Sequence, residues 1–243
     1  MIYLYDQILY YPLLNALVFL YNIVPFHDFG IAIILLTILI RIILYPLFHK
    51  SARHQAISQR LQPEVKKLQE LHKHDKKKQT EAIMELHKEH GINPFSGFLL
   101  LLVQLPVLIA LYQILSASMK PEFLSGLYSF VQAPSEINPT FLGLINLSKG
   151  SILIVGLAAL AQYFQGKLAL PAPHEGHVPS QAEKVSRQMV FVGPFITLII
   201  FYNLPAAVSL YWFVSSLFSV FQQLRVNKQL EHGTVRANSS KNS

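Results

Sequence analysis

The sequence predicts an all-α, polytopic membrane protein with five transmembrane helices, an N-terminal interfacial helix and a cytoplasmic helical hairpin. Two compositional observations lead to this fold class: 52% of the 243 residues are hydrophobic, and only 14% are charged. A soluble domain carries charge on about a quarter of its residues. The third observation is that long apolar runs alternate with one dense basic block. This arrangement is typical of membrane spans joined by aqueous loops.

Residues 1–27 are expected to form an amphipathic helix in the outer membrane interface. Gln7, Tyr11, Asn15 and Asn22 recur at spacings of four, four and seven, which places them on one helix face. A helix that lies in the plane of the interface has such a polar stripe. The stretch is also apolar enough for a sixth span, and the residues alone leave both alternatives open.

Five apolar runs follow, with the first span within 28–49 and the other four within 93–228. The runs cover residues 30–48, 95–115, 151–165, 189–204 and 206–222. The last three are short, because about 16 residues at 1.5 Å each reach roughly 24 Å, against a hydrocarbon core of about 30 Å. Short spans require local thinning of the bilayer or polar neighbours.

Residues 50–92 are predicted to form a cytoplasmic helical hairpin. Apolar residues recur at three or four positions along its first arm and again along a shorter second arm, with charges between them. The stretch "HKHDKKKQ" separates the arms and forms the polar turn. The final residues, 229–243, are predicted to be a short, basic, disordered cytoplasmic tail.

The basic residues predict the topology. Ten Lys and Arg lie in 49–93, three in 166–188 and four in the tail, whereas Lys120 and Lys149 are the two expected outside. The positive-inside rule therefore places the hairpin and the C-terminus in the cytoplasm, and the N-terminus outside. Since topology explains the net charge of +7, no direct binding of nucleic acid is expected, although a ribosome could meet this face.

Several kinds of chemistry are excluded by what the sequence lacks. There is no cysteine and no glycine-rich phosphate loop, and the histidines lie in loops, near span ends or in the tail. No predicted span contains a carboxylate, which a proton-coupled transporter usually requires. We therefore expect no enzymatic activity, no catalytic residue, no cofactor and no metal site.

Arg41 is the exceptional residue of the spans, since it lies within "LLTILIRIILYPLF" at 35–48. A central arginine costs roughly 2.5–3.5 kcal/mol on translocon-insertion scales. Arg41 must face a water-filled recess, extend to the cytoplasmic edge, or await a negative group from another molecule. The other spans contain many Gln, Ser and Thr residues, more than helix packing requires, and these predict a hydrated groove.

Three segments carry a resemblance to a known family. "GIAIILLTILIRIILYPL", "GINPFSGFLLLLVQLPVLIALYQIL" and "NLPAAVSLYWFVSSLFSVFQQ" occur in this order, with the basic hairpin between the first two. Together they resemble the YidC family of membrane protein insertases, in a short form without a large extracytoplasmic domain. The resemblance implies five spans preceded by an outer interfacial helix, in the plasma (inner) membrane of a prokaryote.

The resemblance also implies a function and a site. It implies a protein that moves newly made membrane proteins into the bilayer without ATP hydrolysis, through a groove open to the cytoplasm. Arg41 matches the groove arginine that attracts acidic client tails, and the hairpin matches the element that receives clients. The implied partners are nascent membrane proteins and lipid, with the Sec translocon and the ribosome as further candidates, and the protein is expected to function as a monomer.

The candidate groove residues are Arg41, Gln104, Gln162, Gln165, Trp212 and Ser216. The alternative function is a small organic-anion transporter or channel that uses Arg41 as its anion site. Such a transporter would be expected to contain an internal repeat, and the sequence shows no convincing one. A structural scaffold for other membrane proteins is a third, less specific alternative.

Overall fold

The computed structural model describes residues 2–93, 95–117, 126–170 and 181–239, and almost all of this part is helical. The helices are α1 (Ile2–Tyr5), α2 (Tyr11–Ile23), α3 (Phe29–Ile43), α4 (Tyr45–Arg60), α5 (Gln62–Leu71), α6 (Lys76–Glu89), α7 (Ser96–Ala117), α8 (Ile152–Ala169), α9 (Gln181–Met189), α10 (Val192–Phe201) and α11 (Ala206–Ser239). A π-helical turn (Asp6–Tyr10) joins α1 to α2, and a 3₁₀ turn (Pro25–His27) precedes α3. Strands β1 (Thr140–Phe141) and β2 (Ile145–Asn146) form a small antiparallel hairpin.

The apolar helices confirm the prediction of a helical, polytopic membrane fold. By length and hydropathy, Ile152–Ala169 and Ala206–Glu231 can each cross a membrane, and the bent pair α3 and α4 adds a third candidate when it is counted as one span. Leu102–Ala117 and Arg187–Phe201 are shorter apolar helical stretches. All five predicted apolar runs therefore fold as helices, and the short fourth run corresponds to the ten-residue α10.

The hydrophobic core lies where α2, α3, α7, α8 and α11 meet. Its largest fully buried side chains include Tyr211 of α11, Phe29 of α3 and Leu14 of α2. The N-terminal helix α2 packs its apolar residues against α3 and is therefore part of the core. Its position in the membrane interface stays a prediction.

The polar stripe of the N-terminal helix contacts protein as well as solvent. Asn15 is buried, and its amide donates to the Gly126 carbonyl at 3.1 Å and accepts from the Tyr128 backbone N–H at 2.6 Å. Asn22 donates to the Gln132 carbonyl at 2.8 Å, whereas Gln7 is exposed. Asn15 and Asn22 of the stripe therefore supply hydrogen-bond partners for backbone groups of this loop. Such partners are needed because the N–H and C=O groups of a packed loop must be paired.

The chain bends sharply near the predicted boundary between the first span and the hairpin. α3 ends at Ile43, α4 begins at Tyr45, and the two helices are bent by 70°. Pro46 lies in the first turn of α4 and has no N–H for the hydrogen-bond ladder of α3, which explains the break. The break therefore lies inside the predicted span 28–49, and α4 runs without interruption into the region predicted as the hairpin, 50–92.

The hairpin itself is α5 packed on α6. Its core is small, with Leu61, Val65, Leu86 and Ile92 buried together. Polar contacts join α4, which leads into the hairpin, to the start of α7: Ser51 Oγ donates to the Ser96 carbonyl at 2.7 Å, as one example.

His54 makes a second contact of this kind. Its Nδ1 accepts from the Asn93 backbone N–H at 3.4 Å, which requires an unprotonated Nδ1. Partial burial lowers the pKa of His54, and the neighbouring charges of Lys50 and Arg53 lower it further. Both effects favour the neutral imidazole that this contact needs.

α11 continues to Ser239, into the stretch 229–243 for which a disordered tail is predicted. A helix that is already formed adds further residues without a new nucleation cost, which explains the extension. Residues 240–243 lie outside the described residues.

The β-hairpin closes one end of the bundle. Asp28 caps α3 by accepting from the Ile31 backbone N–H at 2.9 Å, and it also accepts from the Leu142 backbone N–H at 2.5 Å. The Phe141 ring lies directly over Gly30, where an added Cβ would come within 2.2 Å of a ring carbon. This close approach requires glycine at position 30.

A candidate polar groove among the membrane helices

A cavity of about 370 Å³ opens between the helices. It is bounded by residues from the break between α3 and α4, from α7 and α8, and from the segments that contain α10 and α11. The structure places all six predicted residues on its lining: Arg41, Gln104, Gln162, Gln165, Trp212 and Ser216.

Arg41 is buried at 6% exposure and lies in the last turn of α3. Its Nε donates to Ser215 Oγ at 3.1 Å, and its Cζ lies 4.2 Å from the centroid of the Phe48 ring. Its Nη1 is buried and has no hydrogen-bond partner. A cation at the C-terminal end of a helix is favoured by the partial negative charge of the unpaired carbonyls there.

Charge around Arg41 is uncompensated, since no Asp or Glu lies among the residues that line the cavity. The salt bridge between Lys78 and Asp75 lies in the hairpin, away from the cavity. Among the same residues no three His, Cys, Asp or Glu side chains come together as a metal site would require. The cavity therefore offers positive charge and hydrogen-bond donors.

One face of α11 supplies much of the polar lining. Trp212, Ser215, Ser216, Ser219, Gln222 and Gln223 recur at three- and four-residue intervals and all line the cavity. Residues at these spacings lie on one side of a helix. This stripe gives the groove hydrogen-bonding groups along α11, whose buried apolar residues pack in the core.

Two of the predicted glutamines also join helices to one another. Gln104 of α7 donates to the hydroxyl of Tyr211, and Gln162 of α8 accepts from the hydroxyl of Thr197 in α10. Hydrogen bonds between membrane helices stabilise such contacts modestly, by about 0.6 kcal/mol on average. Gln104 and Gln162 therefore both line the groove and fix the helices around it.

Trp212 adds a second unpartnered donor. Its Nε1 is buried without a hydrogen-bond partner, while its ring lies 5.3 Å from the centroid of Phe201. An unpaired donor in an apolar environment costs about 1–3 kcal/mol by protein mutational data. Unpaired donors at Trp212 and Arg41, two residues of one cavity lining, suit it to bind a ligand that carries hydrogen-bond acceptors.

Phe48 and Ser215, the direct neighbours of Arg41, are absent from the predicted site. Ser215 belongs to the stripe on α11, and its three-residue spacing from Trp212 is enough to predict that it faces the groove. Phe48 lies seven residues after Arg41, and the break at Leu44 brings its ring to the guanidinium. No local pattern in the sequence predicts that contact.

Comparisons with known proteins connect this arrangement to a family. The family model described as 60Kd inner membrane protein matches residues 19–233. Proteins named membrane protein insertase YidC include one from Geobacter metallireducens, 32% identical over 219 residues, which cover 90% of this chain and 37% of that relative. The one from Magnetococcus marinus is 34% identical over 221 residues, which cover 91% of this chain and 36% of that relative.

A solved structure agrees with these sequence relatives. The crystal structure of an active YidC insertase with its first transmembrane domain resolved aligns with a TM-score of 0.58 and 26% sequence identity. That alignment covers 89% of this chain and 45% of the crystallised chain. This chain therefore spans less than half the length of these relatives.

The names of these relatives bear on the alternative functions predicted from the sequence. These relatives are named insertases, so they do not support the alternative of a small-anion transporter. The resemblance to the YidC family, first seen in three segments, extends over most of the chain. The chain belongs to the 60Kd inner membrane protein family.

Proposed function

We propose that this protein inserts newly made membrane proteins into the lipid bilayer without ATP hydrolysis, and that its groove receives the polar flank of each client. The observation that carries the proposal is the guanidinium of Arg41, which is buried, lies in a cavity partly lined by Gln and Ser side chains and has an unpartnered Nη1. The names of the relatives support the same activity.

Electrostatics explains why an unpaired arginine suits this task. The attraction between two charges rises as the local dielectric constant falls, so a partly desolvated cation attracts an acidic tail more strongly than one in bulk water. Ser215 and Phe48 hold the guanidinium without neutralising it. A carboxylate partner within the protein would compete with each client, and no such residue lines the cavity.

The energy for insertion comes from the client. Its apolar segment leaves water for lipid, which is favourable in proportion to the apolar area transferred. The polar tail is the obstacle, because it must cross the hydrocarbon core. A groove lined by Gln and Ser side chains shortens the distance that the tail crosses without polar contacts. No covalent bond is made or broken, so this is not an enzymatic reaction.

The orientation follows from the distribution of basic residues. With ten Lys and Arg in 49–93, the hairpin lies in the cytoplasm, where it receives clients, and the N-terminus lies outside. A ribosome is a further candidate partner of this basic face. The Sec translocon stays a prediction that rests on the family resemblance alone. Function as a monomer is part of the same proposal.

Reconstitution of the purified full chain tests the proposal. The client is a short single-span protein with an acidic N-terminal tail, added to proteoliposomes that contain no nucleotide. Protection of the tail from external protease measures insertion, and uptake of a labelled dicarboxylate into the same vesicles measures anion transport. We expect insertion well above that of protein-free liposomes, without dicarboxylate uptake.

The opposite result would overturn the proposal. Dicarboxylate uptake without client insertion would instead indicate a transporter. Arg41→Glu protein, reconstituted to the same density of folded molecules, is the matched control, because it reverses the charge of the Arg41 position in the groove.

A further inference from the structure

A second cavity, of about 430 Å³, lies where the N-terminal helix meets the far end of α7. Its lining includes Asp6, Tyr10, Tyr11, Tyr112, Gln113 and Ser116. Nine residues of α7 separate Gln113 from Gln104 in the groove, which is roughly 14 Å along a helix axis. This cavity is therefore separate from the groove and lies about half a hydrocarbon thickness away from it.

A local distortion of the backbone builds one wall of the cavity. Residues Asp6–Tyr10 form a π-helical turn, and the Tyr11 backbone N–H donates to the Asp6 carbonyl, five residues back. In a regular α-helix, residues five apart are rotated by about 140° from one another. The wider turn brings Asp6 and Tyr11 to the same side, and such π-turns are frequent at functional sites.

Aromatic rings and one carboxylate dominate the chemistry of this cavity. The rings of Tyr10 and Tyr11 meet edge to face, with centroids 5.6 Å apart, and Tyr112 lies across from them on α7. The Tyr5 hydroxyl donates to Gln113 Oε1 at 2.7 Å and so ties the N-terminal segment to α7. The contact between these two elements is thus fixed by a specific hydrogen bond.

The charge of this cavity is opposite to that of the groove. Asp6 forms no salt bridge with any residue of the described ranges, and the lining contains no Lys, Arg or His. A carboxylate beside aromatic faces is the combination that binds ammonium groups. Gln113 and Ser116 add an amide and a hydroxyl, which are donors suited to phosphate oxygens.

An exposed apolar stripe leads along α7 to this cavity. Leu102, Leu105, Ile109 and Tyr112 are 51%, 43%, 49% and 42% exposed. Their spacings of three, four and three place them on one helix face, which ends at the cavity because Tyr112 belongs to both. The stripe spans ten positions of α7, about 15 Å of helix, and offers an apolar surface for an acyl chain.

We propose that this cavity binds the alkylammonium headgroup of a membrane phospholipid, whose acyl chain lies along the exposed stripe of α7. Asp6 and the tyrosine rings contact the ammonium group, and Gln113 with Ser116 contacts the phosphodiester. The site does not depend on the proposed insertase activity. An anionic lipid without an amine lacks the group that Asp6 and the rings recognise, so the site selects among lipids by headgroup charge.

Native mass spectrometry of the full chain in detergent tests this site. Phosphatidylethanolamine and phosphatidylglycerol with identical acyl chains are titrated separately. We expect the wild-type protein to retain one phosphatidylethanolamine in preference to phosphatidylglycerol. Asp6→Asn should lower that retention about threefold or more, the loss expected for a partly exposed ion pair. Tyr112→Leu, which keeps an apolar side chain but removes the ring, should lower it as well.

The controls separate a binding site from a general effect of charge or folding. Glu136→Gln removes an exposed carboxylate that does not line the cavity, and should leave retention unchanged. The melting temperature of each variant is measured without added lipid. If Asp6→Asn melts early, the decision rests on Tyr112→Leu, whose side chain lies at the protein surface.

Three results would overturn the proposal. These are equal retention of the two lipids by the wild-type protein, unchanged retention in a correctly folded Asp6→Asn protein, or displacement of phosphatidylethanolamine by a soluble lysine-rich peptide at similar concentration. The last result would identify the cavity as a site for basic peptide segments.

Discussion

Arg41 has two contacts that orient its guanidinium, and neither cancels its charge. Ser215 accepts one hydrogen bond, and the Phe48 ring supplies a cation–π contact, which is worth about 0.5–2 kcal/mol depending on how far the cation is desolvated. These contacts offset only part of the cost of burying a cation in membrane. The remaining cost is consistent with a residue whose proposed partner arrives with each client.

Substitutions at Arg41 distinguish a receptor for charge from a structural brace. In a hydrated groove Arg41→Lys should keep most of the insertion rate, because a moving tail offers no fixed bidentate partner. For clients with acidic tails, Arg41→Ala should slow insertion roughly tenfold, equivalent to about 1.4 kcal/mol, and Arg41→Glu should slow it further. Paired clients that differ only in tail charge provide the measurement, normalised to folded protein.

Ser215→Ala is the matched control for this series, since it removes the hydrogen bond to Nε and keeps the charge. It should slow insertion less than Arg41→Ala. Clients with neutral tails should be far less sensitive to every substitution. Equal losses for acidic and neutral tails, accompanied by lower thermal stability, would indicate that Arg41 only braces the helices.

Gly30 and Gly156 give a second prediction at the scale of single residues. A Cβ at Gly30 would meet the Phe141 ring at 2.2 Å, whereas a Cβ at Gly156 would meet no other residue within 4 Å. Gly30→Ala should therefore lower stability by about 1–3 kcal/mol through overpacking. Gly156→Ala should raise it by roughly 0.5–1 kcal/mol, because glycine weakens a helix interior.

Thermal unfolding in detergent measures both alanine variants under the same conditions. A Gly30→Ala protein as stable as the wild type would mean that the β-hairpin does not pack against α3 as described. The pair is informative because both glycines lie in helices and receive the same added methyl group.

Among the elements, the hairpin has the smallest core, and its first arm continues from α4. Ser58 Oγ lies 3.3 Å from His87 Nε2, so the chain on either side of residues 60–88 can be joined by a short flexible linker. Deleting 60–88 should leave the membrane helices folded but abolish client capture. Site-specific crosslinking to a stalled client measures capture, and the melting temperature reports the fold.

Two outcomes of that deletion would be decisive. Undiminished client adducts in the shortened protein would remove the hairpin from the mechanism. A loss of adducts together with a collapse of the melting temperature would show that the hairpin supports the bundle. Replacing 60–88 by an unrelated helical hairpin of the same length controls for the missing bulk.

The elements also show how far the sequence predicts this molecule. Long apolar runs predict the helices, because burial in lipid depends on composition over many residues. The break at Leu44 is less predictable, since a proline in the first turn can either begin a helix or kink one. The groove is predicted from polar residues within apolar spans. Its internal contacts are not, because Arg41 and Ser215 are 174 positions apart in sequence.

At the scale of the whole molecule, the two cavities have opposite charge and lie at different depths along α7. The groove carries Arg41 and has no acidic lining residue, while the second cavity carries Asp6 and has no basic one. The charges of Arg41 and Asp6 do not neutralise each other, because the two cavities lie roughly half a hydrocarbon thickness apart along α7. Both proposed ligands, an acidic client tail and an ammonium headgroup, follow from this division of charge.

The orientation of the molecule is the prediction on which the functional proposal depends. A cysteine-free chain allows single cysteines to be introduced without further changes. Lys77→Cys lies on the exposed hairpin and leaves the Asp75 cap intact, and Glu136→Cys lies in an exposed loop. With the hairpin in the cytoplasm, a membrane-impermeant maleimide should label Glu136→Cys in intact cells and Lys77→Cys only after permeabilisation.

Inverted membrane vesicles provide the mirror experiment, in which the two labelling patterns should be exchanged. The basic residues support this orientation because ten lie in 49–93 and two in the segments expected outside, and short basic loops are retained in the cytoplasm during insertion. Labelling of Lys77→Cys in intact cells would place the hairpin outside and contradict the orientation predicted from the basic residues. The part of the groove lined by α4 would then lie on the side away from the compartment in which clients are made, and the proposed insertase activity would fail with it.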